Sequence, residues 1–287
     1  MSEESEDTHV LEAVGKSKIT IKGGKVTEVS VSRIRECPLA KKFALPVDEI
    51  TPENVRANIE HRMDSWGMCR PHRKICGSVE FVGFGASELI SCGLVSKSLD
   101  AAVLACDGAG TVIVTTPEMV QGIGGRMSGL VSTSPLAEEM DRIEKEAGIV
   151  LDREHATVDP VLGMARAYER GFSHVAVTVA SADVAVAIRA AHPDAFIFGV
   201  HLSGITEQDA ERIVAVADIV TACASKWIWQ IAGAKALVQA GTAVPVFALT
   251  QRGKQLILDK IARSDRPVLV NGAKLPAYGP ETPHPLI

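Results

Sequence analysis

Short apolar segments alternate with longer amphipathic segments over most of the chain, beginning near Ser78. The short segments have the length of strands, and the longer ones repeat their apolar residues with the period of a helix. This order is typical of β-α-β units, in which helices cover a sheet of parallel strands. The predicted strands are residues 80–82, 101–106, 129–131, 149–151, 174–179, 195–200, 219–221, 244–248 and 267–270. The predicted helices are residues 87–97, 136–147, 161–170, 182–191, 207–217, 226–240 and 254–263.

The alternation predicts an α/β fold with a mainly parallel sheet flanked by helices. An open, doubly wound sheet is the preferred architecture. A closed β/α barrel is the alternative, because the number of predicted strands permits it.

The first part of the chain follows a different pattern. Segments 18–21 and 26–31 alternate apolar and polar residues on either side of Gly23 and Gly24, which predicts a β-hairpin. A helix is predicted after Thr51, because threonine is a good N-cap and proline suits the first turn. We therefore expect an N-terminal hairpin and helical segment, residues 1–77, packed on an α/β domain, residues 78–287.

Composition and charge narrow the classes of protein to consider. Of the 287 residues, 46% are hydrophobic and only 4% aromatic, so we expect a core of aliphatic side chains. The net charge of −5 and the scattered basic residues argue against a nucleic-acid partner. No apolar run reaches the roughly 20 residues that span a bilayer, so no membrane partner is expected. The acidic, polar start is unlike a signal or transit peptide, so we expect a cytoplasmic protein.

Two glycine-rich segments carry the clearest signs of a ligand site. The first begins at Asp107, after predicted strand 101–106, and ligands of open α/β sheets bind at the carboxyl ends of strands. The second combines glycine amides with an arginine, which suits a phosphate or carboxylate. The residues expected to bind a small anionic ligand are Gly108, Gly110, Thr111, Gly122, Gly124, Gly125, Arg126 and Ser128. Ordinary turn chemistry is the alternative, because neither segment matches the dinucleotide or P-loop pattern.

Two side chains near the predicted ligand edge are candidates for proton transfer. Asp107 follows one predicted strand and His201 follows another, and both groups serve as general acids or bases in enzymes. A purely structural histidine is the alternative for His201. Ser87 is interpreted as a helix N-cap in preference to a nucleophile, because the elbow pattern of hydrolases is not satisfied. Trp227 and Trp229 are interpreted as packing or interface residues.

Three of the six cysteines are candidates for metal ligands. Cys37, Cys69 and Cys76 lie in polar, loop-like surroundings, and thiolates bind zinc and iron–sulfur clusters. No Cys-x2-Cys pair occurs, so the alternative is that these residues are reduced structural thiols. Cys92 lies in a predicted helix and is expected in the core, whereas Cys106 and Cys223 lie near strand ends.

Several segments together resemble the methanogenesis marker protein 8 family. These segments are Cys37-Pro38-Leu39, Gly67-Met68-Cys69, Gly83-Phe84-Gly85-Ala86-Ser87-Glu88, Cys106-Asp107-Gly108-Ala109-Gly110-Thr111 and Gln121-Gly122-Ile123-Gly124-Gly125-Arg126. The resemblance runs from the hairpin through most of the chain. It implies an anaerobic archaeal cytoplasm, methanogenesis proteins as partners, and a link to methyl-coenzyme M reductase, its cofactors or its maturation. It implies no catalytic residues.

Three functions remain open at this point. The first is an accessory or maturation factor of methanogenesis, with the cysteines as ligands of a metal or cluster. The second is an enzyme that acts on a phosphorylated or carboxylated small molecule. The third is a non-catalytic interaction subunit, which an exposed apolar patch around Trp227 and Trp229 would favour. Self-association is expected with each of them.

Overall fold

Two β-sheets with helices packed on them form the framework of the protein. The computed structural model describes residues 7–127, 129–265 and 267–287. The strands are β1 (Thr8–Glu12), β2 (Lys18–Lys22), β3 (Lys25–Val29), β4 (Ala101–Cys106), β5 (Gly110–Val114), β6 (Gly129–Thr133), β7 (Ile149–Val150), β8 (Val175–Val179), β9 (Phe196–Gly199), β10 (Ile219–Thr221), β11 (Val238–Ala240) and β12 (Val246–Ala248). The helices are α1 (Pro52–Trp66), α2 (Ala86–Ser96), α3 (Pro117–Ile123), α4 (Ala137–Lys145), α5 (Pro160–Glu169), α6 (Ala182–Ala191), α7 (Glu207–Val216), α8 (Lys226–Lys235) and α9 (Gln251–Ala262).

The larger sheet has eight strands in the order β11-β12-β10-β9-β8-β4-β5-β7. Its centre, β4, β8, β9 and β10, is parallel, and the strands added at both edges are antiparallel. The sheet is open, because the end strands β11 and β7 do not pair with each other. The prediction of an α/β fold with a helix-flanked sheet is confirmed, and the closed barrel does not form.

Apolar layers cover both faces of this sheet. In β4, Ala102 and Leu104 pack against α2, α3, α4 and α9, whereas Ala101 and Val103 face the layer that holds α5, α6, α7 and α8. Successive side chains of a strand point to opposite faces, so a strand with helices on both sides is apolar throughout. That double burial explains why β4, β8 and β9 read as continuous apolar runs in the sequence.

The smaller sheet contains β3-β2-β1-β6, and all its pairings are antiparallel. The predicted hairpin is therefore confirmed as β2 and β3, and helix α1 packs against it through a third apolar cluster that includes Ile19, Ile21 and Met63. Helix α1 begins as predicted, because the Thr51 hydroxyl accepts a hydrogen bond from the Asn54 N–H. Strand β6 was expected in the large sheet, but it pairs with β1 instead.

The structure corrects several predicted elements. Residues 80–82 form no strand, and Phe81 and Val82 lie in a bend, where their backbone N–H groups donate to the buried carboxylate of Glu88. Residues 267–270 form no strand, and the helix expected over 226–240 ends at Lys235, before β11. The segment after Asp107 was expected to be a loop, but it turns directly into β5. Within the described residues, no helix combines the length and the apolar character that a bilayer span requires.

Candidate functional site

The tight turn between β4 and β5 lies at the centre of the candidate site. Strand β4 ends at Cys106 and pairs there with Gly110, so that Asp107, Gly108 and Ala109 form the turn. Gly108 has a φ of +82°, a left-handed conformation that favours glycine. Helix α4 crosses this turn so closely that a Cβ on Gly108 would lie 2.3 Å from Glu139 Oε2. The glycine therefore makes room for a carboxylate beside the turn.

Three side chains that are able to bind a metal meet at this turn. Cys106, Asp107 and Glu139 each offer one ligand atom, and these atoms lie within 4.8 Å of one another. All three residues are fully buried. The Cys106 thiol donates a hydrogen bond of 3.0 Å to Glu139 Oε1. We refer to Cys106, Asp107 and Glu139 as the buried cluster.

Two residues from the loop after α1 enclose Asp107. The Arg73 Nε donates to Asp107 Oδ1 at 3.1 Å, and both side chains are fully buried, so they form a buried ion pair. The backbone N–H of Cys69 donates to Asp107 Oδ2 at 2.5 Å, which holds Cys69 beside the cluster. Cys69 adopts a φ of +56°, an uncommon conformation for a residue other than glycine. The cluster is thus bordered by a second thiol and by one cation.

Burial controls the protonation of these groups. It raises the pKa of Glu139 well above the usual value for a glutamate, and the neighbouring charge of Asp107 raises it further. Burial likewise raises the pKa of the Cys106 and Cys69 thiols, and the nearby carboxylates add to that effect. The buried environment therefore disfavours the charged forms of Glu139, Cys106 and Cys69.

Two buried polar atoms at the cluster have no hydrogen-bond partner among the described residues, Glu139 Oε2 and Arg73 Nη2. A buried polar atom without a partner costs about 1–3 kcal/mol. Such atoms in a native protein point to a bound water, ion or ligand. The cluster offers one thiol and two carboxylates, a donor set that suits zinc or ferrous iron, with Cys106, Asp107 and Glu139 as the ligands.

The first glycine-rich segment divides between the cluster and the core. Asp107 and Gly108 belong to the turn described above. Gly110 lies so close to the neighbouring main chain that a Cβ on it would be 2.2 Å from the carbonyl oxygen of Ala156. The buried Thr111 hydroxyl accepts the Asp159 N–H at 2.8 Å, which holds the start of α5. Gly110 and Thr111 therefore make structural contacts.

The second glycine-rich segment is helical. Gly122 lies in α3, where a Cβ would come within 2.1 Å of the carbonyl oxygen of Ile75. Gly124 and Gly125 belong to the 3-10 turn that follows and face the Ser87 side chain. The Arg126 guanidinium lies over the Trp66 ring, 4.3 Å from its centroid. Ser128 lies outside the described residues.

The three cysteines predicted as metal ligands lie in different surroundings. Cys69 is at the buried cluster, Cys37 is half-buried beside the bridge between Glu36 and His284, and Cys76 is exposed. Among the described residues, the buried cluster is the one group of three or more metal-ligating side chains. The structure therefore does not bring the three thiols together.

His201 and Asp107 both lie at the carboxyl ends of strands of the large sheet, but they follow strands that are not neighbours. His201 follows β9, and since β8 separates β9 from β4, the two residues are roughly 10 Å apart across the sheet. His201 Nε2 is 3.0 Å from Glu12 Oε2. Burial lowers the pKa of His201, whereas its hydrogen bond to Glu12 lowers the pKa of that carboxyl to about 2.

Two smaller predictions are settled by the packing. Gly85, not Ser87, occupies the N-cap of α2, so the N-cap interpretation of Ser87 was wrong. Trp229 is buried and stacks on Tyr278 with ring centroids 5.0 Å apart, and Trp227 is half-buried. The tryptophans therefore serve packing, as expected, and form no large exposed patch.

Sequence reasoning missed Glu139 and Arg73. Glu139 had a detectable signal, because it lies on the buried stripe of α4 that Leu136 and Ile143 define. A carboxylate at such a position needs a partner inside the protein. Arg73 had no comparable signal, because it lies in an irregular loop.

Two comparisons with known proteins both match this chain to uncharacterized archaeal proteins. The family described as an uncharacterized protein conserved in archaea (DUF2099) matches residues 9–262. The uncharacterized protein MJ0054 of Methanocaldococcus jannaschii is 38% identical over 284 residues, which cover 98% of this chain and 100% of the relative. The chain belongs to this conserved archaeal family, DUF2099.

Proposed function

We propose that the protein is an accessory or maturation factor of methanogenesis that binds one metal ion at the buried cluster. The meeting of three metal-ligating side chains within 4.8 Å, beside the Cys69 thiol, carries this proposal. The unpartnered Glu139 Oε2 and the room made by Gly108 support it further.

The link to methanogenesis has separate support. The ordered motifs resemble the methanogenesis marker protein 8 family, and the relative from Methanocaldococcus jannaschii is compatible with a methanogen origin. We propose methyl-coenzyme M reductase, its cofactors or its maturation as the process that the protein serves. In an anaerobic cytoplasm, thiol ligands are protected from oxidation.

The donor set favours a single ion over an iron–sulfur cluster. Within the described residues, Cys106 is the one cysteine of the metal-ligating group, with Cys69 beside it, whereas four cysteines bind the common clusters. Zinc accepts mixed sulfur and oxygen ligands in a tetrahedral arrangement. A thiol binds a metal ion as the thiolate, so metal binding at Cys106 is accompanied by proton release.

The test is the metal and sulfide content of protein purified without oxygen. We expect about one zinc or iron per chain and no acid-labile sulfide. Cys106→Ser and Glu139→Gln should each weaken metal affinity by at least about tenfold, as removal of groups that support metal sites does. Cys92→Ser is the matched control, because Cys92 is also buried but lies in α2, outside the cluster. Wild-type protein that binds neither Zn²⁺ nor Fe²⁺ after incubation would overturn the proposal.

A second candidate function is an enzyme that acts on a phosphorylated or carboxylated molecule. It is favoured by Arg126, which makes no ion pair within the described part of the chain and whose carbonyl accepts from Arg62 Nη1 at 3.2 Å. Burial lowers the pKa of Arg126, and the nearby charge of Arg73 lowers it further, whereas Glu88 raises it. An anion would stabilise the Arg126 cation, with Asp107 and His201 as the acid–base candidates.

The effect of inorganic phosphate on the Tm tests this second candidate function. If Arg126 binds an anion, phosphate raises the Tm by mass action, and Arg126→Ala abolishes the shift. Arg153→Ala, at an exposed position, controls for the loss of a surface cation. A shift that persists in Arg126→Ala would remove Arg126 from the site.

A further inference from the structure

A cleft of about 380 Å³ lies outside the buried cluster. Its lining residues are Asp7, Gly23, Gly24, Cys69, Arg70, Pro71 and His72. Cys69 belongs to both places, because it lines the cleft and its backbone N–H binds Asp107. The cleft therefore ends at a residue that contacts the cluster.

Cys69 separates the cleft from the cluster. It is fully buried, and so are Cys106, Asp107 and Glu139, so an ion cannot reach the cluster from solvent without passing protein atoms. A bare ion pays a large desolvation penalty in a protein interior. Passage is feasible when protein ligands replace the hydration shell one at a time, and the cleft offers such ligands in Asp7, His72 and Cys69.

A chain of hydrogen bonds provides a second connection between the cleft and the cluster. Asp7 Oδ2 is 3.3 Å from His9 Nε2, and His9 Nδ1 is 2.5 Å from the Thr133 hydroxyl. That hydroxyl accepts the Gly108 N–H at 2.7 Å. His9 is fully buried, so this chain passes through the interior from the wall of the cleft to the turn that bears Asp107.

We propose that this cleft is the route by which the metal ion enters and leaves the buried cluster. His72 and Asp7 hold the ion in transit, and the Cys69 thiol transfers it to Cys106 and Glu139. The ion exchanges water for these ligands, and each of the two thiols, Cys69 and Cys106, releases one proton to solvent as it binds the ion, while the carboxylates and the imidazole bind without releasing one. The inference rests on the proposed function and extends it from the metal site to the path of the ion.

Rates of uptake and release of Zn²⁺ test the route. A residue on the route lowers the barrier in both directions, so its removal slows uptake and release alike, whereas loss of a ligand of the final site accelerates release. We expect His72→Ala and Asp7→Asn to slow both rates by about tenfold, the smaller effect usual for supporting groups of metal sites. Cys106→Ser should release Zn²⁺ faster than wild type.

His174→Ala is the matched control. His174 is an exposed histidine beside Asp100, at the amino end of β4 and so at the opposite end from Cys106. It should leave both rates unchanged. Equal rates in wild type and His72→Ala, or faster release in His72→Ala, would overturn the route while the metal site stands. Wild-type protein that takes up no Zn²⁺ would overturn the site and the route together.

Discussion

The turn after β4 and the last turn of α3 both contain glycine, yet the two glycines make room for different groups. At Gly108 the missing side chain makes room for the Glu139 carboxylate, whereas at Gly122 it makes room for the carbonyl of Ile75. A polar side chain held against a glycine adds a reactive group to the turn. A main-chain segment held against a glycine contributes to packing and adds no side-chain functional group. Glycine in a sequence therefore indicates close approach, and the approaching group decides whether a site results.

The largest expected effect is a difference in the free energy of unfolding between variants of Arg73, at the first region, and Arg126, at the second. Arg73→Met should lower the free energy of unfolding by about 3–5 kcal/mol, because Asp107 would remain buried without its ion pair. Arg126→Met should lower it by about 1 kcal/mol, since it loses only the contact with the Trp66 ring. Urea unfolding measures both values.

A double variant keeps this test decisive if Arg73→Met does not fold. Adding Asp107→Asn removes the charge that the arginine compensates, and it should restore part of the lost stability. Equal losses for Arg73→Met and Arg126→Met would contradict the difference between the two regions.

Alanine at the two glycines should produce different kinds of damage. Gly122→Ala should lower the free energy of unfolding by about 1–3 kcal/mol, because the backbone of Ile75 cannot yield easily. Gly108→Ala should weaken metal affinity as well as stability, since its Cβ would displace Glu139 Oε2. Gly83→Ala is the control, because a Cβ there meets nothing within 4 Å. Unchanged metal affinity in Gly108→Ala would show that Glu139 is not a metal ligand.

The smallest expected effect lies at Glu12, beside His201. The hydrogen bond to His201 lowers the pKa of Glu12 to about 2 in the folded protein, from 4.5. The contact therefore stabilises the fold above about pH 4.5, and this contribution is lost as the pH falls towards 2. Because Glu12 is 36% exposed, Glu12→Gln should cost less than about 1 kcal/mol at pH 7. A difference between wild type and Glu12→Gln that persists at pH 2 would refute this assignment.

The framework of the fold could be predicted because its signals are local. Strands β4 and β9 are apolar throughout, β8 is apolar except for Thr178, and the capping of α1 by Thr51 is visible in the sequence. Strand β5 was hidden, because the glycines that begin it also fit a ligand loop. The edge strands at β7 and β11 are too short to stand out from neighbouring helices.

The candidate site could be predicted only in part, because it depends on contacts between distant segments. Asp107 and Cys69 were identified from residue type and local surroundings, but nothing in the sequence pairs them. Arg73 reaches Asp107 across 34 residues of chain, and Glu139 reaches Cys106 across 33. Only the buried position of Glu139 on α4 left a trace in the periodicity.

The pairing of β1 with β6 has a consequence for the order in which the protein is made. The Thr8 N–H bonds the Ser134 hydroxyl, 126 residues later, so the ribosome must release most of the first half of the chain before β1 has both neighbours. Until then, one edge of β1 is open to unwanted pairing. Thr133, at the end of β6, also holds the Gly108 turn. A nascent chain therefore completes its smaller sheet and its buried cluster in the same step, about halfway through synthesis.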